Sequence, residues 1–88
     1  MSDYQTTADR VLSELVADLE PVEASLALSV LLGRAATRLH NLARAEATAR
    51  KGGPDWPAWA GLQNATRTLV LQASTCRDLA ARLAGRRA

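Results

Sequence analysis

Fourteen leucines and eighteen alanines carry most of the apolar content of this 88-residue chain, which has no isoleucine and no phenylalanine. Leu and Ala are strong helix formers, whereas the β-branched and aromatic residues that favour strands are scarce. An all-α fold follows. The length allows one helical domain over 1–88, and a marginal one. A chain this short buries ~60–65% of its unfolded surface, which makes dimerisation a common supplement to stability.

Three helices are expected. The first is read over about 7–19, with residues 1–5 frayed. Thr6 or Thr7 would cap its free amides, and Asp9 would sit near the positive end of the helix dipole. Ala8, Leu12, Leu15 and Leu19 recur at helical spacing and make one apolar stripe. Acids flank that stripe, with Glu14 and Asp18 on one side and Asp9 and Glu20 on the other. Pro21 lacks an amide hydrogen and disfavours helical geometry at Glu20, so it should open a new helix as its first residue. The join is too short for a tight reversal, and a bend is expected there.

The second helix is read over about 21–51. Leu28, Leu32, Ala35, Leu39, Leu42, Glu46 and Ala49 follow a strict 4-3 alternation, the spacing of a coiled-coil seam. Leu26, Val30, Gly33 and Thr37 make a second stripe. Gly33 costs about 1 kcal/mol against Ala in a helix interior, so close approach of another helix over it is expected. Lys51-Gly52-Gly53-Pro54-Asp55 then stops one helix and starts the next, by a left-handed glycine, a proline and a capping Asp55. The third helix is read over about 56–84, with 85–88 frayed. Leu62, Ala65, Leu69, Gln72, Cys76, Leu79 and Leu83 give it a matching seam. The short loop and equal seams predict an antiparallel, coiled-coil-like hairpin. With the shorter first helix it would form a three-helix bundle or a dimeric helical bundle.

Trp59, Val70 and Ala73 lie to one side of the third helix's seam and Leu71 to the other, so each long helix has apolar surface beyond its seam. The candidate interface is therefore Leu26, Val30, Gly33, Thr37, Trp59, Val70 and Leu71, and a homodimer is expected.

Charge is sorted along the chain. Residues 1–23 carry Asp3, Asp9, Glu14, Asp18, Glu20 and Glu23 against Arg10 alone, while residues 24–88 carry nine arginines and Lys51 against Glu46, Asp55 and Asp78. The modest total of +2 conceals this division. The acidic segment has its own apolar stripe, so it reads as a helix that docks on a hairpin, in its own chain or a second copy. Arg34, Arg38, Arg67 and Arg77 are the candidate polyanion contacts. They are dispersed over two helices, and no helix-turn-helix spacing accompanies them. Asp78 and Arg82 are spaced for a helical ion pair.

No catalytic, cofactor-binding or metal-binding residues are expected. His40 is the only histidine, and Ala36, Thr37, Ala43 and Arg44 occupy the helical positions around it, so no local ligand set exists. It is read as a partly exposed helical residue outside the seam. Cys76 is the only cysteine and falls on the expected seam, where it would act as a small core residue. Gln72 and Glu46 are polar positions on otherwise apolar seams. They would either set register or lie near the seam's edge.

Trp56 and Trp59 flank the loop and are read as plugs for the open end of the hairpin core. The tripeptide Trp59-Ala60-Gly61 resembles the Trp-x-Gly signature of a family of small secreted helical hairpins. That family places the signature in its turn, whereas here it is expected inside the third helix. The family's C-terminal secretion motif is not found after it, and the resemblance is not adopted.

The sequence thus predicts a non-enzymatic, small regulatory protein that acts through helix packing with a protein partner, first of all itself. A nucleic-acid-associated regulator that uses its arginines is the alternative. No basic n-region with a following apolar run begins the chain, and no stretch approaches the ~20 apolar residues of a membrane span. With a single cysteine, a reducing, cytoplasmic setting is expected. The arginine and alanine bias suggests a GC-rich coding sequence and a bacterial source.

Overall fold

A computed structural model describes the backbone of residues 3–87. Three helices account for nearly all of it, and no strand occurs among the described residues: α1 (Asp3–Val16), α2 (Pro21–Ala49) and α3 (Trp56–Arg87). α2 and α3 pack against each other along their length. The molecule is elongated, with principal extents of 53 × 30 × 13 Å. The long dimension is that of α3, whose 32 residues rise about 48 Å.

The breaks come from the residues that favour them. Glu20 is the N-cap of α2 with extended backbone (φ −71°, ψ 161°), the conformation that a following proline enforces. Pro21 is the first helical residue, and the Glu20 carbonyl accepts the Ala24 N–H at 2.7 Å. At the other end the Arg50 N–H closes the last turn on the Glu46 carbonyl at 2.9 Å. Gly52 then takes φ 84°, the only positive value in the described chain. Asp55 precedes α3, and its carbonyl accepts from the Trp59 N–H at 3.2 Å. Trp59-Ala60-Gly61 lies within the first turns of α3.

α1 starts and stops earlier than its pattern suggests. It opens at Asp3, which places Thr6 and Thr7 inside the helix, and it ends at Val16. Leu19, the last residue of the expected stripe, therefore belongs to the linker, where it is half-buried. Residues 85–87 continue α3 where fraying was expected. Positions 1, 2 and 88, also expected to fray, lie outside the described residues.

The register of the hairpin can be read from two cross-helix pairs. A Cβ placed on Gly33 would be 3.9 Å from the Ala73 Cβ. Seven residues later, His40 Nδ1 is 3.0 Å from Thr66 Oγ1, seven residues earlier on α3. Moving forward on one helix means moving back by the same count on the other, so the pair is antiparallel.

The core of the hairpin is made of small residues. Ser29, Ala36, Ala43 and Ala47 are buried on α2, and Thr66, Ala73 and Ala80 on α3. This corrects the expected seam. Leu28, Leu32, Leu39 and Leu42 are 36–52% exposed, and Leu79 and Leu83 are about half-exposed. On both helices the true seam lies one residue further along, a rotation of about 100°. Both stripes share the 3.5-residue period, so spacing alone does not separate them. Small side chains bring the two backbones closer, and the packed stripe is the one that allows that approach.

α1 touches α2 alone. None of its residues is buried, and no α1 Cα comes within 8 Å of an α3 Cα among the described residues. Val11, Leu12 and Leu15 are 38–47% exposed.

Candidate functional site

An open groove of about 1150 Å³ runs along one flank of the hairpin. Its floor contains Val30 and Gly33 from α2 and Val70 and Ala73 from α3. The glycine and alanine that hold the helices close also keep this floor low. Arg34 and Arg38, one turn apart on α2, and Arg77 on α3 line the same groove. No carboxylate is among its lining residues, and among the described residues none of the three guanidinium groups is engaged in an ion pair. The groove therefore offers an apolar strip edged by positive charge.

The expected site residues divide between this groove and the rest of the surface. Val30, Gly33, Thr37 and Val70 converge on it, together with Arg34, Arg38 and Arg77. Leu26 is half-buried outside it, and Trp59 is half-buried near the loop, as is Trp56. Leu71 is 68% exposed and away from the groove, and Arg67 is exposed elsewhere on α3. Ser29, Asn41 and Ser74 also line the groove, although nothing in their individual chemistry singled them out.

The flank opposite the groove carries the leucines. With about 100° between successive residues, Leu28, Leu32 and Leu39 fall on the side of the α2 seam away from Val30, Arg34 and Thr37. Leu79 and Leu83 fall on the corresponding side of α3. The spacing of these leucines predicts an interior position, which the structure overturns. The signal that places them outside is the parallel stripe of small residues one position later on each helix, Ser29, Gly33, Ala36 and Ala43 on α2 and Thr66, Ala73 and Ala80 on α3, matched in register across the loop.

His40 has a definite structural place. Contrary to its expected position outside the seam, it is half-buried and bonded across the hairpin. Its Nδ1 faces the Gln63 carbonyl at 3.1 Å and the Thr66 hydroxyl at 3.0 Å. A carbonyl only accepts, so the proton is assigned to Nδ1, which donates. The Thr66 hydroxyl in turn donates to the Leu62 carbonyl at 2.8 Å. His40 thus ties the middle of α2 to α3.

Cys76 is exposed and not in the core, because the one-residue rotation of α3 turns it away from α2. Gln72 is exposed for the same reason. Glu46 is half-buried at the seam's edge and pairs with Arg50 at 3.3 Å. Asp78 and Arg82 do not form the ion pair their spacing allows. No group of three His, Cys, Asp or Glu side chains able to hold a metal occurs among the described residues. No described helix is long and apolar enough to cross a membrane.

No protein-family model matches this chain, and no curated protein or solved structure shows significant similarity to it.

Proposed function

We propose that this chain is a non-enzymatic helical interaction module: a small, cytoplasmic, bacterial regulatory protein that works by packing its helices against a protein partner, beginning with a second copy of itself. One observation carries this reading. The hairpin closes mainly on alanines, while Leu28, Leu32 and Leu39 on α2 and Leu79 and Leu83 on α3 stay exposed. A leucine flank running along both long helices is the surface that helical assemblies bury on association. The small side chains of the closed seam leave the hairpin with little large apolar core of its own, which is where a partner's contribution matters most. The exposed thiol of Cys76 suits a reducing setting.

Light scattering of the full chain tests the reading. A mass of twice 9.4 kDa that persists at moderate salt supports it. Paired Leu39→Lys and Leu79→Lys substitutions should lower that mass toward the monomer. A chain that stays monomeric at all accessible concentrations, and captures no protein through this flank, rules it out.

A second reading rests on the convergence of Arg34, Arg38 and Arg77 on one groove without a carboxylate. On that reading the protein is a nucleic-acid-associated regulator. Its affinity for a DNA or RNA duplex would then fall steeply with salt, by roughly one counterion for each phosphate neutralised.

A further inference from the structure

We infer that the arginine-edged groove is the receptor for α1 of a second copy, so that two chains exchange their acidic N-terminal helices. This rests on the self-association proposed above and specifies one of its contacts. Three observations carry it.

The first is that the apolar stripe of α1, which touches α2 alone, is left partly uncovered. Leu12 and Leu15 remain exposed, no residue of the helix is buried, and the helix does not approach α3. The groove of its own chain contains no α1 residue.

The second is size. α1 has 14 residues, a rise of about 20 Å, while the α2 side of the groove, from Ser29 to Asn41, rises about 18 Å.

The third is complementarity of both kinds. The stripe of α1 is apolar, with Asp9 on one side and Glu14 on the other and Asp18 in the turn just after the helix, and none of the three has an ion-pair partner in the described chain. The groove has an apolar floor at Val30, Gly33 and Val70, edged by Arg34, Arg38 and Arg77. Laying one into the other buries the leucines on the floor and sets carboxylates opposite guanidinium groups. Such pairing fixes partner and register even where each exposed ion pair contributes little. Exchange of an identical element between protomers is an accessible route to a dimer.

The test uses two full-length charge-reversed variants, measured alone and mixed. One carries Asp9→Arg, Glu14→Arg and Asp18→Arg. The other carries Arg34→Glu, Arg38→Glu and Arg77→Glu. Each alone sets like charges against each other in the exchanged contact, and its dimerisation should weaken about tenfold or more. An equimolar mixture restores opposite charges at both contacts of a heterodimer, so the dimer should return with one of each chain, as native mass spectrometry would show. Circular dichroism confirms that each variant keeps its helices. A wild-type dimer unaffected by either reversal, or not restored on mixing, overturns the exchange and leaves the leucine flank as the self-association surface. A monomeric wild type overturns both readings. If the arginine reversal abolishes binding to heparin or a DNA duplex while the dimer is unchanged, the groove belongs to a polyanion and the exchange is overturned.

Discussion

Gly33 of α2 backs directly onto Ala73 of α3: a Cβ added to the glycine would lie 3.9 Å from the alanine Cβ. That is ordinary van der Waals contact. The glycine marks the close approach of the helices, yet the space for one methyl group is already there.

Gly33→Ala should therefore stabilise the chain. The glycine has ordinary helical geometry, and replacing it with alanine removes backbone freedom from the unfolded state, a gain of about 0.5–1 kcal/mol. Thermal unfolding by circular dichroism would show a raised midpoint. Gly33→Leu should do the opposite, because its side chain must enter a seam sized for a methyl group.

The alanine seam makes an unusual prediction about which apolar residues matter to the single chain. Ala43 is 0% exposed, and Ala43→Leu should cost about 1–3 kcal/mol by overpacking, as a lower urea midpoint. Leu39→Ala removes more apolar volume but from a surface position. On the proposed self-association its cost should grow with protein concentration, because it would act through association. If Leu39→Ala proves the more damaging at high dilution, the leucine stripe and not the alanine stripe closes the hairpin.

Thr66→Val tests the tie through His40. The change keeps the shape of the buried side chain, while His40 Nδ1 loses its 3.0 Å partner and retains the Gln63 carbonyl. Loss of one such bond should cost about 1 kcal/mol, read as a shift in urea midpoint with an unchanged slope.

The loop discriminates between its two glycines and an ordinary residue for different reasons. Gly52 sits at φ 84°, so Gly52→Ala is strained by backbone conformation and should lower stability by about 1 kcal/mol. Gly53→Ala meets the Arg50 carbonyl oxygen at 3.1 Å, a crowding that only a shift in the turn can relieve. Both variants should lower the thermal midpoint, while Glu46→Gln, which removes the i,i+4 ion pair of the half-buried Glu46 with the exposed Arg50, should change stability by no more than about 0.5 kcal/mol.

How legible the molecule was depends on the kind of signal. Pro21 and Pro54 act through a ring-fixed φ and a missing amide hydrogen, and Gly52 through its freedom to take positive φ, properties that operate wherever these residues occur in a chain. Both breaks accordingly lie where the residues put them. The start of α1 was less legible, since Thr6 and Thr7 cap a helix only if it begins there, and the helix begins at Asp3. The convergence of Arg34, Arg38 and Arg77 was invisible in sequence, because the residues come from two helices whose rotation had to be known first.

Composition and punctuation by themselves determined an all-helical chain, three segments, and an antiparallel hairpin folded at Gly52. The tertiary structure decided which face of each helix the hairpin closes on. Two stripes of equal period run side by side on α2, one of leucines and one of Ser, Gly and Ala, and α3 repeats the arrangement with Thr66, Ala73 and Ala80. Hydrophobicity favours burying the leucines, while backbone approach favours burying the small residues. Within one chain the small stripe is inside, because matched small residues let two helices come together along their whole length. Leu28, Leu32 and Leu39 on α2 and Leu79 and Leu83 on α3 are thereby left exposed.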